Sequence, residues 1–245
     1  LNIPHALKNK IGVMVNGSDI LSLGNSTKSV HKILNELFAP KKQSPVSLVR
    51  IACHINEFED CLPAAIWLKD QGYKVGFNLM QINNADEGKI AELLKLANTH
   101  PIDVLYFADS MGSLNTQQIT TIVNTFKNNW CGAIGIHAHD SMGNAVNNSM
   151  QAVNDGVSWV DCTVTGMGRG PGNAQTEYLS IELDSYRKLN TSKTKLLKLI
   201  RNHFKPLKEQ YDWGINPYYY LAGKHNIHPT YIQKMITDTR YNEED

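Results

Sequence analysis

Two histidines, His137 and His139, form the part of the sequence that is best suited to do chemistry. They lie in the run Gly-Ile-His-Ala-His-Asp at 135–140, where Ile134 and Ile136 give the apolar pattern of a β-strand buried on both faces. Residues two apart on a strand point to the same side, so we expect both imidazoles to project together. Neutral imidazole is a common ligand for zinc, manganese, iron and cobalt. The spacing therefore predicts a divalent-metal site, although a core histidine beside a loop histidine would give the same pair.

A helix, a strand and a glycine-rich loop follow this pair. Residues 143–156 carry apolar side chains at helical spacing and end at Gly156, which suits a helix C-cap. A strand is predicted at 158–164, and residues 166–174 read Gly-Met-Gly-Arg-Gly-Pro-Gly-Asn-Ala. Glycines let the backbone approach a ligand closely, although turn geometry alone explains them almost as well. Because the carboxyl ends of parallel strands meet on one side of an α/β sheet or barrel, we expect the histidine pair and this loop to share a site.

The rest of the chain alternates strands with helices. Strands are predicted at 11–15, 46–53, 73–80, 102–108, 132–138 and 158–164, and helices at 30–38, 57–71, 86–97, 115–130 and 143–156. This alternation indicates βαβ units and a parallel sheet. Six strands are predicted here, whereas a complete (β/α)8 barrel contains eight.

These motifs, in this order, resemble the metal-dependent aldolase and lyase TIM-barrel superfamily, which includes HMG-CoA lyase. They resemble most of all its 4-hydroxy-2-oxovalerate aldolase branch. The likeness rests on residues 49–54 (Val-Arg-Ile-Ala-Cys-His), 106–110 (Tyr-Phe-Ala-Asp-Ser), 137–140 and 160–177, and it covers about residues 11–180. The resemblance implies an α/β fold of the TIM (β/α)8 type, which we assign to residues 1–185.

The barrels of this superfamily open with two further strands that the sequence does not show. The first carries an Asp-x-Thr-Leu-Arg-Asp-Gly-like stretch that supplies a metal-binding carboxylate, an arginine and, in the aldolase branch, a base. No such stretch occurs in the 245 residues. Either that segment lies outside this sequence or the protein has lost it. Six strands alone would leave two unpaired sheet edges, so we expect a missing segment that holds the catalytic base and the arginine.

Further site residues follow from the strand ends. His137 and His139 would hold Mn, Mg, Co or Zn, and Asp140 could orient one of the imidazoles. Asn173 matches the Gly-Asn-Ala of the family, where an amide lies near the metal, although loop asparagines often bond only to backbone. Ser110 matches a family serine that helps to bind the substrate carboxylate.

Arg50 and His54 are two more substrate-binding candidates. Four residues apart on a strand, they should lie on the same side, with Arg50 facing a carboxylate and His54 lining the pocket. A structural ion pair explains Arg50 equally well.

The pattern changes after residue 180. A basic amphipathic helix is predicted at 186–208 and a short helix at 231–236, followed by an acidic tail. We interpret residues 186–245 as a small helical module that packs on the barrel mouth or on a neighbouring subunit. Because a related aldolase uses a tyrosine from this region, one of the tyrosines at 218–220 could reach the site, although an aromatic cluster is more often core.

Composition limits the classes of function. A length of 245 residues suits one large domain, and 42% hydrophobic with 19% charged residues is ordinary for a soluble globular protein. A net charge of +1 gives no general attraction to nucleic acid or membrane, and no apolar run has the length of a membrane span. Cys53, Cys61, Cys131 and Cys162 form no Cys-x-x-Cys motif, so we interpret them as reduced core residues of a cytoplasmic protein.

Together these features predict a divalent-metal-dependent aldolase that cleaves or forms a carbon–carbon bond in a 4-hydroxy-2-oxo acid. The two halves joined by that bond are a pyruvate enolate and an aldehyde. One alternative is a Claisen-type acyl-CoA synthase or lyase of the same superfamily. Its HMG-CoA lyase branch is disfavoured, because the glycine-rich loop lacks that branch's cysteine. The other alternative is a degenerate barrel that acts as a binding or scaffold subunit. The resemblance also implies a small 2-oxo acid substrate, a homo-oligomer and an acylating aldehyde dehydrogenase partner.

Overall fold

The strands form one sheet in the computed structural model, which describes residues 3–7, 10–187, 192–238 and 240. The strands are β1 Ile11–Asn16, β2 Val46–His54, β3 Lys74–Met80, β4 Val104–Asp109, β5 Ala133–Ala138 and β6 Trp159–Val160. Their order in the sheet follows the chain from β1 to β6, and the pairs β1–β2, β2–β3 and β3–β4 are parallel. The predicted α/β class is confirmed. The described residues form six strands, so the eight-stranded barrel stays a prediction.

Helices connect the strands and make up the C-terminal part of the chain. They are α1 Gly17–Ile20, α2 Thr27–Leu37, α3 Phe58–Asp70, α4 Glu87–Ala97, α5 Thr116–Asn129, α6 Ala145–Asn154, α7 Thr176–Arg187, α8 Lys193–Leu199, α9 Lys205–Tyr211, α10 Pro217–Lys224 and α11 Pro229–Thr237. Polar caps begin several of them: the side chain of Ser26 accepts from the N–H of Ser29 before α2, and Asp86 does the same for Lys89 before α4. Among the described residues, no helix combines the length and the apolar character needed to cross a bilayer.

The chain divides into two compact units. The first holds the residues up to Phe107 together with Asn124–Gly135, and the second holds Ala108–Val123 and the residues from Ile136 onward. The division that we predicted, between residues 185 and 186, stays a prediction. A helical C-terminal part, α8 to α11, is present as expected.

In the first unit, β3 and the start of β4 are buried on both faces, whereas β1 alternates half-buried and exposed residues. The Phe77 ring of β3 packs edge-on against Phe58 of α3, with 5.3 Å between ring centroids. On the opposite side of the strands, the Arg50 guanidinium lies 4.3 Å from the centre of the Tyr106 ring. This alternation explains the nearly continuous apolar runs of these strands, as expected for a parallel sheet that is covered on both sides.

Two of the expected regular elements differ from the prediction. The strand predicted at 158–164 has only two residues, because the backbone of Thr163 bonds to Ala174 and Thr176, and the 3-10 turn Val164–Gly166 follows with a left-handed φ of 56° at Thr165. The helix predicted at 186–208 is interrupted by a π-helical turn at Ile200–Phe204. Pro206 follows this turn and has no N–H for a regular α-helical hydrogen bond. Residues 188–191 of that predicted helix, and the acidic tail at 241–245, lie outside the described residues.

The four cysteines are free thiols, but they do not all belong to the core. Cys53 and Cys61 are buried, whereas Cys131 and Cys162 are exposed. The expectation of four core cysteines is therefore wrong for the second pair. Cys131 lies in the turn between α5 and β5, and Cys162 lies just beyond the short strand β6.

Replacing Gly135 should destabilise the protein, because a Cβ at this position would overlap the Tyr106 ring. We expect Gly135→Ala to lower the free energy of unfolding by about 1–3 kcal/mol, the usual cost of overpacking. The measurement is urea unfolding followed by circular dichroism. Gly12→Ala on β1 is the matched control, since its Cβ would meet Leu48 at an ordinary 3.4 Å. Equal unfolding midpoints for the two variants would contradict the packing described here.

Candidate metal centre

The two imidazoles predicted to act together lie side by side at the end of β5. The Nε2 atoms of His137 and His139 are 3.3 Å apart, and the ring planes cross at 77°. Strand alternation places both side chains on the same side, as the sequence predicts.

The other nitrogen of each ring is held by an acceptor. Nδ1 of His139 lies 2.8 Å from the carbonyl oxygen of Ser110, and Nδ1 of His137 lies 2.8 Å from Oδ2 of Asp161. A carbonyl or carboxylate oxygen only accepts, so each Nδ1 carries the proton and donates it. In a neutral ring this leaves the lone pair on Nε2. The two Nε2 atoms therefore present lone pairs toward the same point.

His139 is poorly suited to carry a proton. Burial lowers its pKa to about 4, and the charges of His137, His228 and Arg169 lower the pKa further, against the opposing hydrogen bond to Ser110. At neutral pH this ring is therefore neutral and keeps its lone pair. Two lone pairs at this distance repel each other unless a cation, a metal ion or a proton on His137, lies between them.

A divalent metal ion fits this arrangement. Imidazole nitrogens bind such ions at about 2.0–2.1 Å, so two of them separated by an angle of about 90–110° lie about 2.9–3.4 Å apart. The observed 3.3 Å falls in this interval. Donation of the second nitrogen to a carboxylate or carbonyl is the usual way in which proteins orient metal-binding histidines. Among the residues that the structure describes, no group of three His, Cys, Asp or Glu side chains forms a site, so a further ligand from this part of the chain would be an oxygen of another kind.

Asn173 provides one such oxygen. Its backbone pairs with His139 across an isolated bridge, and its side-chain amide nitrogen donates to the carbonyl of Met167 at 3.2 Å. Its Oδ1 is buried and accepts no hydrogen bond within the described part of the chain. A Cβ on Gly168 would overlap this amide, and a Cβ on Gly172 would overlap the Gly166 carbonyl. The glycines are thus needed to fold the loop back beside the histidines.

Asp109 is the last residue of β4, and Ser110 follows it; both support the candidate site. Both are buried. The Asp109 carboxylate accepts the backbone N–H groups of Ser113 at 3.0 Å and Leu114 at 3.1 Å, which closes the loop that presents the Ser110 carbonyl. Burial raises the pKa of Asp109 to about 6, although these hydrogen bonds act in the opposite direction. The role of Ser110 toward a substrate carboxylate stays a prediction.

Asp140 does not orient an imidazole, contrary to the expectation. Its Oδ1 accepts the N–H of Ala145 at 3.0 Å, so it caps the start of α6. The Nδ1 partners of the histidines are Asp161 and Ser110 instead.

Arg50 and His54 both lie in the first unit. Arg50 stacks on Tyr106, a contact that differs from the structural ion pair we weighed against substrate binding. The His54 ring nitrogen Nδ1 lies 3.2 Å from Glu57, and His54 lines a cavity of about 310 Å³ with Gln81 and Lys89. Their substrate-binding roles stay predictions.

The C-terminal part of the chain, mainly the connection between α9 and α10, holds the glycine-rich loop through contacts that the sequence analysis did not find. The Trp213 indole N–H donates to the Thr165 carbonyl at 3.1 Å, and the N–H of Gly214 donates to the Gly170 carbonyl at 2.9 Å. Of the three neighbouring tyrosines, Tyr219 alone is buried, at 6% exposed, and its ring lies against Gly170. Asp161 was missed as well. The only signal for it was its position just after a strand whose carboxyl end faces the site.

Removing the charge of Asp161 should weaken metal binding. We expect Asp161→Asn to reduce the affinity for Zn²⁺ or Mn²⁺ by about 10–100-fold, because the carboxylate fixes the His137 tautomer and increases its basicity. Isothermal titration calorimetry measures the change. Asp184→Asn is the control, since Asp184 is also an ion-paired carboxylate but binds Lys193, at 2.6 Å. Unchanged affinity in Asp161→Asn would show that this hydrogen bond does not support a metal site.

Comparison with known proteins agrees with the predicted resemblance. The 4-hydroxy-2-oxovalerate aldolase of Pelotomaculum thermopropionicum is 35% identical over 137 residues, which are 56% of this chain and 40% of that protein. The crystal structure of the N-terminal domain of a candidate aldolase from Bacteroides vulgatus matches with a TM-score of 0.79 at 27% identity, over 94% of this chain and 73% of the other. HMG-CoA lyase of Bacillus subtilis shares the fold, with a TM-score of 0.66 at 15% identity, over 91% and 77% of the two chains.

These relatives are longer than the region they share with this protein. The chain spans about two fifths of the length of the curated relatives it matches, 40% for the Pelotomaculum aldolase and 44% for its counterpart in Geobacillus thermodenitrificans. The HMGL-like family matches residues 45–203, which is well over half of the chain and includes the histidine pair and the glycine-rich loop. The chain therefore belongs to the HMGL-like family.

Proposed function

We propose that the protein is a divalent-metal-dependent aldolase that cleaves or forms a carbon–carbon bond in a 4-hydroxy-2-oxo acid. The observation that carries this proposal is the pair of Nε2 atoms, 3.3 Å apart, whose rings are each fixed through Nδ1. Membership of the HMGL-like family and the likeness to 4-hydroxy-2-oxovalerate aldolases support a lyase.

The residues that would hold the ion are His137 and His139, with Oδ1 of Asn173 as a further donor. Imidazole and amide oxygen are compatible with Mn, Mg, Co or Zn. When bound, the ion supplies a Lewis acid that polarises the 2-oxo group of the pyruvate unit.

The protein's own groups prepare this site before substrate arrives. The Asp161 carboxylate and the Ser110 carbonyl fix the tautomers, so the lone pairs of His137 and His139 need no reorganisation. The glycine-rich loop brings its backbone and Asn173 next to the rings. Ser110, at the end of β4, would bind the substrate carboxylate by its hydroxyl.

In the cleavage direction, a base takes the proton from the 4-hydroxyl group and the bond between carbons 3 and 4 breaks. The electron pair moves to carbon 3 and the 2-oxo group, and protonation of carbon 3 gives pyruvate beside the released aldehyde. Neither this base nor an arginine that would stabilise the developing charge is assigned to a residue of this sequence. The homo-oligomer, the aldehyde dehydrogenase partner and the cytoplasmic location also stay predictions.

The test is a double substitution, His137→Ala with His139→Ala, in the full-length protein. We expect the wild type to bind about one divalent ion and to release pyruvate from 4-hydroxy-2-oxo acids. The double variant should lose the ion, and its turnover should fall by at least about 100-fold. Metal content is read by mass spectrometry and pyruvate by a coupled lactate dehydrogenase assay. His203→Ala is the control, because His203 is an exposed histidine outside the site.

Two outcomes would contradict the proposal. Metal retained by the double variant would place the ion elsewhere. A wild type that binds no divalent ion and turns over no 4-hydroxy-2-oxo acid would make the histidine pair a remnant, in a protein that acts as a binding or scaffold subunit.

A further inference from the structure

Arg169 is a cation in the middle of the glycine-rich loop. Its side chain is exposed, and its guanidinium forms no ion pair or hydrogen bond with another residue in the described part of the chain. The neighbouring glycines are explained by the folding of the loop, whereas nothing in the loop's own packing requires an arginine between them. An arginine held without a protein partner is available to bind an anion, because its planar fork of N–H donors matches carboxylate and phosphate oxygens.

The position of this charge is close to the metal centre. The carbonyl of Arg169 accepts the N–H of Gly172 at 3.3 Å, and the backbone of the next residue, Asn173, pairs with His139 across an isolated bridge. Arg169 therefore places a positive charge on the loop that lies beside the histidine pair. A negatively charged group beside the histidine pair would be attracted to this region.

Arg169 also lines a cavity in the second unit with a volume of about 290 Å³. The aromatic rings of Tyr211, Trp213 and Tyr219 form part of its wall, and Asp212 and Gln233 contribute polar groups. About 10–15 Å³ of such volume is enough to hold one water molecule, so this cavity has room for a ligand of several non-hydrogen atoms. This is far more than a two-carbon aldehyde such as acetaldehyde needs.

We propose that Arg169 binds a carboxylate or phosphate group carried by the aldehyde half of the substrate, with the rest of that half lying along the aromatic wall. This rests on the proposed aldolase function and defines its substrate class as an anionic aldehyde of more than two carbons. Asp212 lines the same cavity, and its carboxylate would repel a second anionic group. The site therefore selects an aldehyde with one such group, next to Arg169. A neutral aldehyde would leave the guanidinium without its partner and bind less well.

The experiment compares matched aldehydes on the full-length protein by isothermal titration calorimetry. One pair is glyceraldehyde 3-phosphate and glyceraldehyde, and the other is succinic semialdehyde and butanal. We expect the wild type to bind at least one anionic aldehyde about 10–100-fold more tightly than its neutral partner, as for a charge-assisted hydrogen bond. Arg169→Gln should abolish this preference and leave the neutral aldehydes unchanged, whereas Arg169→Lys should keep part of it. Arg201→Gln, at an exposed cation of the π-helical turn, should behave as the wild type.

The two pairs also identify the anion. A preference in the phosphate pair alone, or in the carboxylate pair alone, assigns the group that Arg169 binds. Equal binding within both pairs, or a preference that survives in Arg169→Gln, would overturn the proposal.

Aldol formation with pyruvate, measured on the same aldehydes, separates this proposal from the proposed function. Condensation with charged and neutral aldehydes at equal efficiency would overturn the Arg169 site and leave the aldolase standing. Arg169-dependent binding with no condensation of any aldehyde would support the anion site and overturn the aldolase.

Discussion

The candidate site depends on two hydrogen bonds that fix the imidazoles of His137 and His139. Each Nδ1 donates to an oxygen that can only accept, the Asp161 carboxylate or the Ser110 carbonyl, at 2.8 Å. Without these bonds, either ring could rotate or change tautomer and present an N–H where a lone pair is needed. Burial, which keeps His139 neutral, reinforces the same state. The protein therefore holds the two Nε2 atoms at a spacing where their lone pairs repel each other unless a cation lies between them.

The surrounding elements keep these two bonds in place. Asp109 is buried at the end of β4 and closes the loop that carries the Ser110 carbonyl. The glycine-rich loop folds back because its glycines leave room for backbone and for the Asn173 amide. The connection between α9 and α10 holds that loop through a hydrogen bond from the Trp213 indole. The buried charge of Asp109 has an energetic cost, seen in its raised pKa, and its hydrogen bonds to the loop offset part of that cost.

The sequence could predict interactions between residues close together in the chain better than interactions between residues far apart in it. Local alternation along β5 sufficed to pair His137 with His139, and apolar periodicity located most strands and helices within a few residues. Asp161 contacts a ring 24 positions earlier in the chain, and no local pattern encodes that contact. The early end of β6 follows from the backbone hydrogen bonds of Thr163 to Ala174 and Thr176, partners further along the chain that apolar periodicity does not indicate. Tyr219 differs from its neighbours only in the tertiary packing that buries it.

The most direct test of the metal site is the protonation of the two rings, observed by ¹⁵N–¹H correlation spectra of the histidine side chains with and without Zn²⁺. We predict that Nδ1 of both rings carries a proton in the metal-free protein at pH 7.5 and that Nε2 of His139 carries none. Added Zn²⁺ should shift the Nε2 resonances of His137 and His139 and leave the exposed His203 and His225 unchanged. A ring without a proton on Nδ1, a proton on Nε2 of His139 in the metal-free protein, or spectra that Zn²⁺ does not alter, would contradict the proposed site.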